Sequence, residues 1–529
     1  MIEVNYVKVK NFVYIYMLLP LLCFIALYLH SWLGGIFLVI LFGFSVVNIR
    51  IKFKRIKKTR RRKKVLRIHF EVPKSNYILQ IPIRYLVIFA IVAVIWSFLG
   101  GQGNLYYQSP DWGCRNAIYR DIIYREWPVV YPDYNKALVY YIGYWLPAAS
   151  VTKIIGFVVP SIYSTEVAFT IGNILLWIWT SIGIFLTELL LLTYAKPILH
   201  YRQLLVPIIL VFFSGMDIIG AVRNIVVEGK QFWLLHLEWW CDDLQFSSLT
   251  TCLFWVFNQT IVPWLAILCV LQEEKLCNYV FIGICAFAAG PIPMVGIAVY
   301  MLLNGIYKGI DSIVNKKMVD FFKEVFTPVN CLAVLILPVF LLYYKSNQAL
   351  NNGVAGATSG VFSVFKLTTI TDGFIEDVLL LLVLEAGIYL LLLYRNYKND
   401  IFYYITIITT FIAPFVKIGG ASDFIMRFSI PTVMVMAAMC LKYLVNYDVN
   451  KGTDKISKYI VTILCVCLLI GAMTPMTEFF RGYSTMLQTG KIINVCDDIK
   501  TFNQDIPSNN FTAHDYKNSA FFKVFIPDE

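Results

Sequence analysis

Charged residues are scarce in this sequence. Asp, Glu, Lys and Arg together make up 15% of the 529 residues, whereas a soluble domain carries about 25%. Only five histidines are present, none near another, and the twelve cysteines form no CxxC pair and show no metal-ligand spacing. These shortages exclude a soluble globular domain and argue against a metal site built on histidine or cysteine.

The sequence is instead rich in long apolar runs, and 59% of its residues are hydrophobic. Many runs approach the ~20 residues that a helix needs to cross a ~30 Å hydrocarbon core. Because a lipid-exposed backbone must satisfy its own hydrogen bonds, repeated runs of this length predict a helical bundle. The short alternating segments of a β-barrel do not occur. We therefore predict an all-α, polytopic transmembrane bundle of about 11–13 spans.

Basic residues are concentrated in one block. Between Arg50 and Arg67 there are twelve Lys or Arg and no acid. The positive-inside rule makes this block cytoplasmic, which predicts a cytoplasmic N-terminus and an outer C-terminal tail. Anionic lipid headgroups are the expected partner of such a block, and nucleic acid is not. We expect an integral, multi-pass protein of a bacterial cytoplasmic membrane.

Three regions follow from this topology. Residues 1–80 hold a transmembrane hairpin and the basic cytoplasmic loop, and the hairpin lacks the cleavage site of a signal peptide. Residues 81–474 form the transmembrane core, with a large outer loop at 100–136. The tail at 475–529 is too small for a comfortable core of its own and should pack on the outer face.

Two stretches do not fit as simple spans. Residues 137–159 contain Pro147 and Lys153, and a full crossing there would break the alternation of sides, so we predict an interfacial or re-entrant segment. Residues 278–307 are interrupted at Gly290–Pro293 and read as two half-helices. Unwound backbone at membrane depth is tolerated only inside protein or along a cavity, so this interruption indicates a cavity.

The outer loop carries the most informative polar residues. Ser109-Pro110 is a good helix start and predicts a helix to about Arg125. On that helix Asp111 and Arg115 share a face at i and i+4, while Asp121 lies roughly 80° round the cylinder. Two carboxylates beside a guanidinium could perform acid–base chemistry. Ordinary ion pairs on a solvated helix would show the same spacing.

This order of elements resembles the GT-C class of membrane glycosyltransferases, which use polyprenyl-phosphate-linked sugars as donors. The resemblance rests on the span at 81–99, on Ser109-Pro110-Asp111, on the helix that follows and on Trp127-Pro128-Val129. It covers topology over most of the chain and motif over about thirty residues. The resemblance implies a GT-C-like bundle with Asp111 as the catalytic carboxylate and Asp121 as a second candidate.

The sequence departs from the class in its added N-terminal hairpin and in having Asp-Trp where many members have an acidic pair. That departure leaves the identity of the base and any divalent-metal requirement open. Chemically, fixed cations can stabilise a lipid-phosphate leaving group, and one carboxylate can take the proton of an acceptor hydroxyl. No cofactor is therefore required.

Further candidates for substrate binding lie in predicted outer segments. Arg427 is the preferred phosphate contact, although an ion pair with Asp423 explains it nearly as well. Asp217 near the outer boundary is either functional or paired with Arg223, and the Glu238 segment combines an acid with aromatic rings that stack on sugars or form a membrane belt. The predicted substrate-binding residues are Arg115, Asn116, Tyr119, Trp127, Asp217, Glu238, Trp239, Trp240, Asp423 and Arg427.

The leading functional hypothesis is sugar transfer from a polyprenyl-phosphate donor to a glycan or lipid acceptor at the outer face. A transporter or flippase of lipid-linked saccharides is the second hypothesis, since broken helices occur in transporters. A polysaccharide polymerase or ligase is the third. The long outer loop of such proteins usually falls in the second half of the chain, whereas here the richest loop comes early.

Overall fold

The computed structural model describes most of the chain. The described ranges are 1–46, 48–55, 64–71, 79–229, 236–241, 244–348, 366–370, 372–417, 423–447, 455–490, 498–502 and 509–525. Within them helices dominate, and the strands form sheets of only two or three members. The basic block at 50–67 lies partly outside the described residues, at 56–63.

The N-terminal region contains three helices and four short strands. They are β1 (Ile2–Val4), α1 (Tyr6–Leu22, prolonged by the π-helical turn Cys23–Tyr28), α2 (Trp32–Val46), β2 (Asn48–Arg55), β3 (Lys64–Glu71), β4 (Leu79–Ile81) and α3 (Ile83–Leu99). Strand β1 pairs antiparallel with β4, and β2 pairs antiparallel with β3. The basic block thus includes a β-hairpin where the sequence predicts only a loop.

The middle of the chain supplies most of the bundle. Its elements are α4 (Trp112–Tyr124), β5 (Val130–Tyr131), β6 (Lys136–Leu138), α5 (Leu146–Val158), α6 (Val167–Ala195), α7 (Leu205–Phe212), α8 (Asp217–Glu228), α9 (Leu249–Val256), α10 (Ile261–Gln272), α11 (Tyr279–Ala289), α12 (Pro291–Val314), α13 (Met318–Val325), α14 (Pro328–Val334) and α15 (Leu337–Lys345). Helix α14 begins where the Thr327 side chain accepts a hydrogen bond from the Asn330 amide, a normal N-cap.

The C-terminal part completes the bundle, and its tail contacts the loop at 100–136. Its elements are β7 (Lys366–Leu367), α16 (Phe374–Leu381), a π-helical turn (Leu382–Gly387), α17 (Ile388–Tyr397), α18 (Ile401–Ile412), β8 (Val416–Lys417), α19 (Asp423–Phe428), α20 (Ile430–Asn446), α21 (Lys455–Gly471), α22 (Met473–Thr489), α23 (Ile499–Phe502), β9 (Thr512–His514) and α24 (Ala520–Phe525). Strand β9 pairs with β6, which also pairs with β5, so the tail adds the third strand of a sheet beside the loop at 100–136.

Several helices are long and apolar enough to cross a membrane. Two helix pairs, bent by 41° and by 106° at short breaks, pass the same test when each is taken as one span. The six unbroken stretches are Tyr6–Tyr28, Val167–Ala195, Pro291–Val314, Pro328–Lys345, Phe374–Tyr397 and Lys455–Thr489. The described residues thus support six crossings, or eight with the bent pairs, by length and composition. The sequence predicts more because it also counts apolar helices shorter than 18 residues, such as α2, α3, α18 and α20.

The surface of the bundle is apolar. On α3 the side chains of Ile83, Val87, Ile91 and Ile95 are all exposed, at spacings of four residues that place them on one face. A soluble monomer rarely exposes contiguous apolar surface of this kind. The fold is therefore an all-helical bundle compatible with a multi-pass membrane protein.

The two ends of the bundle carry different elements. The "loop end" carries α4 and the β5–β6–β9 sheet, and the "hairpin end" carries the β2–β3 hairpin. The stretch at 137–159 dips into the bundle from the loop end and returns. The Tyr144 hydroxyl donates to Thr180 near the middle of the 29-residue α6 (3.0 Å), while the Lys153 ammonium at the other end donates to the carbonyl of Arg125 at the loop end (2.7 Å). The stretch thus begins and ends at the loop end.

Three interrupted segments meet in the interior. Helices α9 and α10 form the pair bent by 106°, and α11 and α12 are separated by Gly290 alone. An ideal Cβ on Gly290 would lie 3.4 Å from Gln259 at the α9–α10 break, and one on Gly143 of the re-entrant segment would lie 2.3 Å from the Ala288 carbonyl oxygen. The glycines thus allow the three breaks to pack against one another.

Candidate functional site

Two arginine–aspartate pairs lie at the loop end. Arg115 Nη2 is 3.0 Å from Asp111 Oδ2, and Arg427 forms a short contact with Asp423. In each pair the arginine side chain is buried and the aspartate faces solvent, with exposures of 2% and 46% for the first pair and 11% and 59% for the second. Each pair therefore places a guanidinium inside and a carboxylate at the mouth.

Both guanidinium groups retain unused donors. Nε and Nη1 of Arg115 and Nε of Arg427 are buried and have no hydrogen-bond partner among the described residues. A buried donor left unsatisfied costs about 1–3 kcal/mol. These atoms are the natural contacts for an anionic ligand.

Tyr140 lies within electrostatic range of the arginines of both pairs. Burial raises the pKa of Tyr140, whereas the positive charges of both Arg115 and Arg427 lower it, so both guanidinium groups act on the same hydroxyl. Tyr141 stacks on Tyr140 with ring centroids 4.4 Å apart. Burial also raises the pKa of Tyr141, against the opposing effect of Arg427. The stacked Tyr140–Tyr141 pair therefore lies within electrostatic range of the arginines.

The start of α4 is fastened to the bent pair α9–α10, which fixes Asp111 in place. The indole of Trp112 donates to the Phe254 carbonyl (2.9 Å) and stacks on Phe257 at 4.5 Å. Asn116 donates to Gln108 (2.8 Å), within the segment that leads into the helix. This hydrogen bond helps to position the start of α4, and the predicted substrate contact of Asn116 stays a prediction.

Asp121 lies elsewhere. It is ten residues beyond Asp111, which is about 15 Å along a helix, and its carboxylate is buried under the C-terminal tail. It accepts hydrogen bonds from Arg125 Nε (2.8 Å), from the Tyr131 hydroxyl (2.6 Å) and from the Ile499 amide (3.3 Å). Burial raises the pKa of Asp121, and the hydrogen bonds from Tyr131 and Arg125 oppose that rise. The structure does not bring this second candidate base to the arginine pairs.

Tyr119 and Trp127 also hold the loop together. The Tyr119 hydroxyl donates to the Gly172 carbonyl of α6 (2.6 Å), and the Trp127 indole donates to the Ile122 carbonyl (2.8 Å). The ammonium group of Lys153 lies 5.2 Å from the Trp127 ring centroid. Their contacts are with the protein itself.

Asp217 belongs to a second buried cluster. It accepts from the Ser214 hydroxyl (3.0 Å) and the Thr474 hydroxyl (2.7 Å). Arg223, the alternative partner considered for Asp217, lies 3.1 Å from Glu376 instead. The Trp240 indole donates to Glu385 in the π-helical turn (3.1 Å), so Trp240 is part of this cluster.

Glu238 and Trp239 point to different surroundings. Glu238 is buried and accepts from Gln245 Nε2 (2.6 Å) and the Ser248 amide (2.8 Å). Burial and the charge of Asp217 raise the pKa of Glu238. The Trp239 ring is 57% exposed and stacks on His236 at 3.9 Å. Of Trp239 and Trp240, Trp239 is the one whose ring is exposed to solvent.

Sequence reasoning missed Tyr140 and Glu385. No local signal marks Tyr140, because its relation to the arginines depends on the re-entrant segment. Glu385 did give a signal, since it is an acid inside the long apolar helix Phe374–Tyr397, and intramembrane acids are costly and usually functional or paired. Among the described residues, no group of three or more His, Cys, Asp or Glu has the arrangement of a metal site.

Comparison with known proteins returns no match. No family model, curated protein or solved structure matches this chain.

Proposed function

We propose that this protein transfers a sugar from a polyprenyl-phosphate donor to a glycan or lipid acceptor at the loop end of the bundle. The observation that carries the proposal is the pair of buried arginines, Arg115 and Arg427, which retain unpartnered N–H groups behind exposed aspartates. The GT-C resemblance of the loop sequence supports the same reading.

The arginines are suited to the leaving group. A guanidinium presents donors in a planar fork that matches phosphate oxygens, and such charge-assisted bonds are about twice as strong as neutral ones. In the transfer step the bond between the anomeric carbon and the phosphate oxygen breaks, and both electrons stay on the phosphate. Arg115 and Arg427 stabilise that developing charge.

Asp111 is suited to the acceptor. Its half-exposed carboxylate stands at the mouth beside Arg115, where a hydroxyl can approach from solvent or from the lipid boundary. The hydroxyl oxygen forms the new bond to the anomeric carbon, and its proton passes to Asp111. A positioned base of this kind contributes about 10²–10⁴-fold. At the hairpin end, the basic block at 50–67 is proposed to bind anionic lipid headgroups.

The test is transfer by the protein in nanodiscs, with a short-chain polyprenyl-phosphate sugar as donor and donor binding measured separately. We expect Asp111→Asn to lose about 100-fold or more in turnover and to keep donor binding. Arg115→Lys and Arg427→Lys should weaken donor binding about tenfold, because lysine lacks the fork. Arg120→Lys, on the same helix but paired with the exposed Glu166, is the matched control and should behave as wild type.

A fully active Asp111→Asn would show that Asp111 is not the base. Unchanged donor binding in both arginine variants would remove the phosphate site and with it the proposal.

Transport or flipping of a lipid-linked saccharide is the second candidate. Interrupted helices at membrane depth line substrate sites in transporters, and here the breaks at Gln259, Gly290 and Gly143 pack together. The side chains of Asn258 and Gln259 are fully buried and have no hydrogen-bond partner among the described residues. Movement of the donor across the bilayer without a glycan product, at a rate unaffected by Asp111→Asn, would favour this candidate.

A further inference from the structure

Two carboxyl groups meet inside the bundle, apart from the arginine pairs. Asp217 begins α8, directly after the short break that follows α7, and Glu385 lies in the π-helical turn of the α16–α17 stretch. Each is 1% exposed. The Glu385 carboxyl lies against Gly215, two residues before Asp217, and the negative charge of Asp217 acts on it. π-Helical turns of this kind occur frequently at functional sites.

The approach depends on a glycine. An ideal Cβ on Gly215 would lie 1.6 Å from Glu385 Oε2, so no other residue fits there without displacing the acid. The Met216 amide donates to the Leu384 carbonyl (3.2 Å), and the Tyr389 hydroxyl donates to the Ser214 carbonyl (2.9 Å). These bonds join the break after α7 to the π-helical turn with the two acids enclosed between them.

The surroundings supply hydrogen bonds but no cation. Asp217 Oδ2 accepts from two hydroxyl groups and Glu385 Oε1 accepts from the Trp240 indole. Glu385 Oε2 is buried and receives no hydrogen bond from a described donor. No ion pair within the described part of the chain involves either acid. The titratable groups that act on the pair are Glu238 and Tyr389, both neutral or negative.

We propose that Asp217 and Glu385 form a proton-binding site in which one proton is held between the two carboxyl groups. Two neighbouring buried carboxylates cannot both be ionised without a compensating cation, so one of them carries a proton. The pair therefore titrates as a unit. Release of the proton leaves two negative charges facing each other across the joint between the α7–α8 break and the π-helical turn.

The inference is independent of sugar transfer, and it predicts a pH response with a definite sign. The joint is held at pH values where the proton is bound and loosens as the pH rises through its release. The α7–α8 pair is already bent by 41° at this break, so loosening of the joint frees the point about which α8 is bent.

Infrared spectroscopy of the full-length protein in nanodiscs tests the site. The carbonyl stretch of a protonated carboxyl group is recorded over a pH series for wild type, Glu385→Gln, Asp217→Asn and the control Glu376→Gln. Glu376 is on the same helical stretch but exposed and paired with Arg223. We expect Glu385→Gln to lose a band that wild type shows at neutral pH. Glu376→Gln should retain it.

Asp217→Asn distinguishes a shared proton from an isolated buried acid. Removal of the neighbouring negative charge should lower the pH midpoint for loss of the Glu385 band by about one unit or more. Asp217→Asn is nearly isosteric with the wild-type side chain. It therefore still tests the pair if Glu385→Gln fails to fold. A band that survives intact in Glu385→Gln, or a midpoint that Asp217→Asn leaves unchanged, would overturn the proposal.

Discussion

From the sequence alone, Asp121 could be a catalytic base or a residue that holds the tail in place. Substitution of Asp121 by asparagine separates these two roles. In the structure Asp121 fastens the loop at 100–136 to the C-terminal tail through Arg125, Tyr131 and the Ile499 amide. Asparagine keeps the shape but loses the charge and turns one acceptor into a donor. At least one buried donor is then left unsatisfied, at about 1–3 kcal/mol, and the charge-assisted bond from Arg125 is lost. Because Arg125 is one-third exposed, we expect a total loss of about 2–3 kcal/mol.

The loss should appear in the tail first. Hydrogen exchange of the β9 amides, Thr512–His514, reports opening of the sheet in which β9 pairs with β6. A loss of about 2–3 kcal/mol accelerates exchange roughly 30- to 150-fold, since each 1.4 kcal/mol is tenfold. Transfer activity in the same preparation should fall far less than in Asp111→Asn. Asp498→Asn is the control, because Asp498 lies 3.5 Å from Arg125 and is partly exposed, and it should change exchange little.

The opposite result would refute this division of roles. If Asp121→Asn exchanged its β9 amides at the wild-type rate and lost transfer, Asp121 would belong to the chemistry and not to the attachment of the tail.

Three further predictions concern other parts of the bundle. Gly143→Ala places a Cβ 2.3 Å from the Ala288 carbonyl oxygen, and we expect a loss of about 1–3 kcal/mol, read as a lower midpoint of thermal unfolding. Lys10→Met leaves Glu273 buried without its ammonium partner at 2.8 Å, and should cost about 3–5 kcal/mol in denaturant unfolding; the double variant with Glu273→Gln should recover most of it. Burial, together with Arg481, lowers the pKa of His236 to about 3. Below about pH 6.5 the unfolded state therefore binds a proton that the folded state does not, and stability should fall as the pH drops. In His236→Gln the unfolding midpoint should depend less on pH in that range.

The helical architecture was predictable because it follows from composition. A chain with 15% charged residues and repeated apolar runs has few alternatives to a membrane bundle. The break at Gly290 and the re-entrant stretch around Pro147 were also readable, since proline, glycine and an isolated lysine interrupt apolar periodicity. The number of spans was less predictable, because short apolar helices such as α3 and α20 have the composition of a span but not its full length.

The site was predictable only in part. Local spacing gives the Asp111–Arg115 pair at i,i+4, and the structure shows that contact. The Asp423–Arg427 pair was likewise an explicit alternative, and it forms. The relation of both pairs to Tyr140, and the meeting of Asp217 with Glu385, join segments far apart in sequence. No periodicity encodes such contacts, and they appear only when the helices are packed.

The re-entrant segment has a consequence for biogenesis. A segment that enters and leaves the bundle at the same end does not cross the bilayer. It therefore cannot be inserted by the stop-transfer mechanism that inserts a full span. The partners of Tyr144 and Gly143 include Thr180 and Ala288, so the segment has no complete binding site until the ribosome has passed Ala288. At about 5–20 residues per second, that is a wait of roughly 7–30 s during which the segment must be shielded by the insertion machinery. Truncation of the nascent chain just before α11 should therefore leave this segment accessible to modification from the loop side.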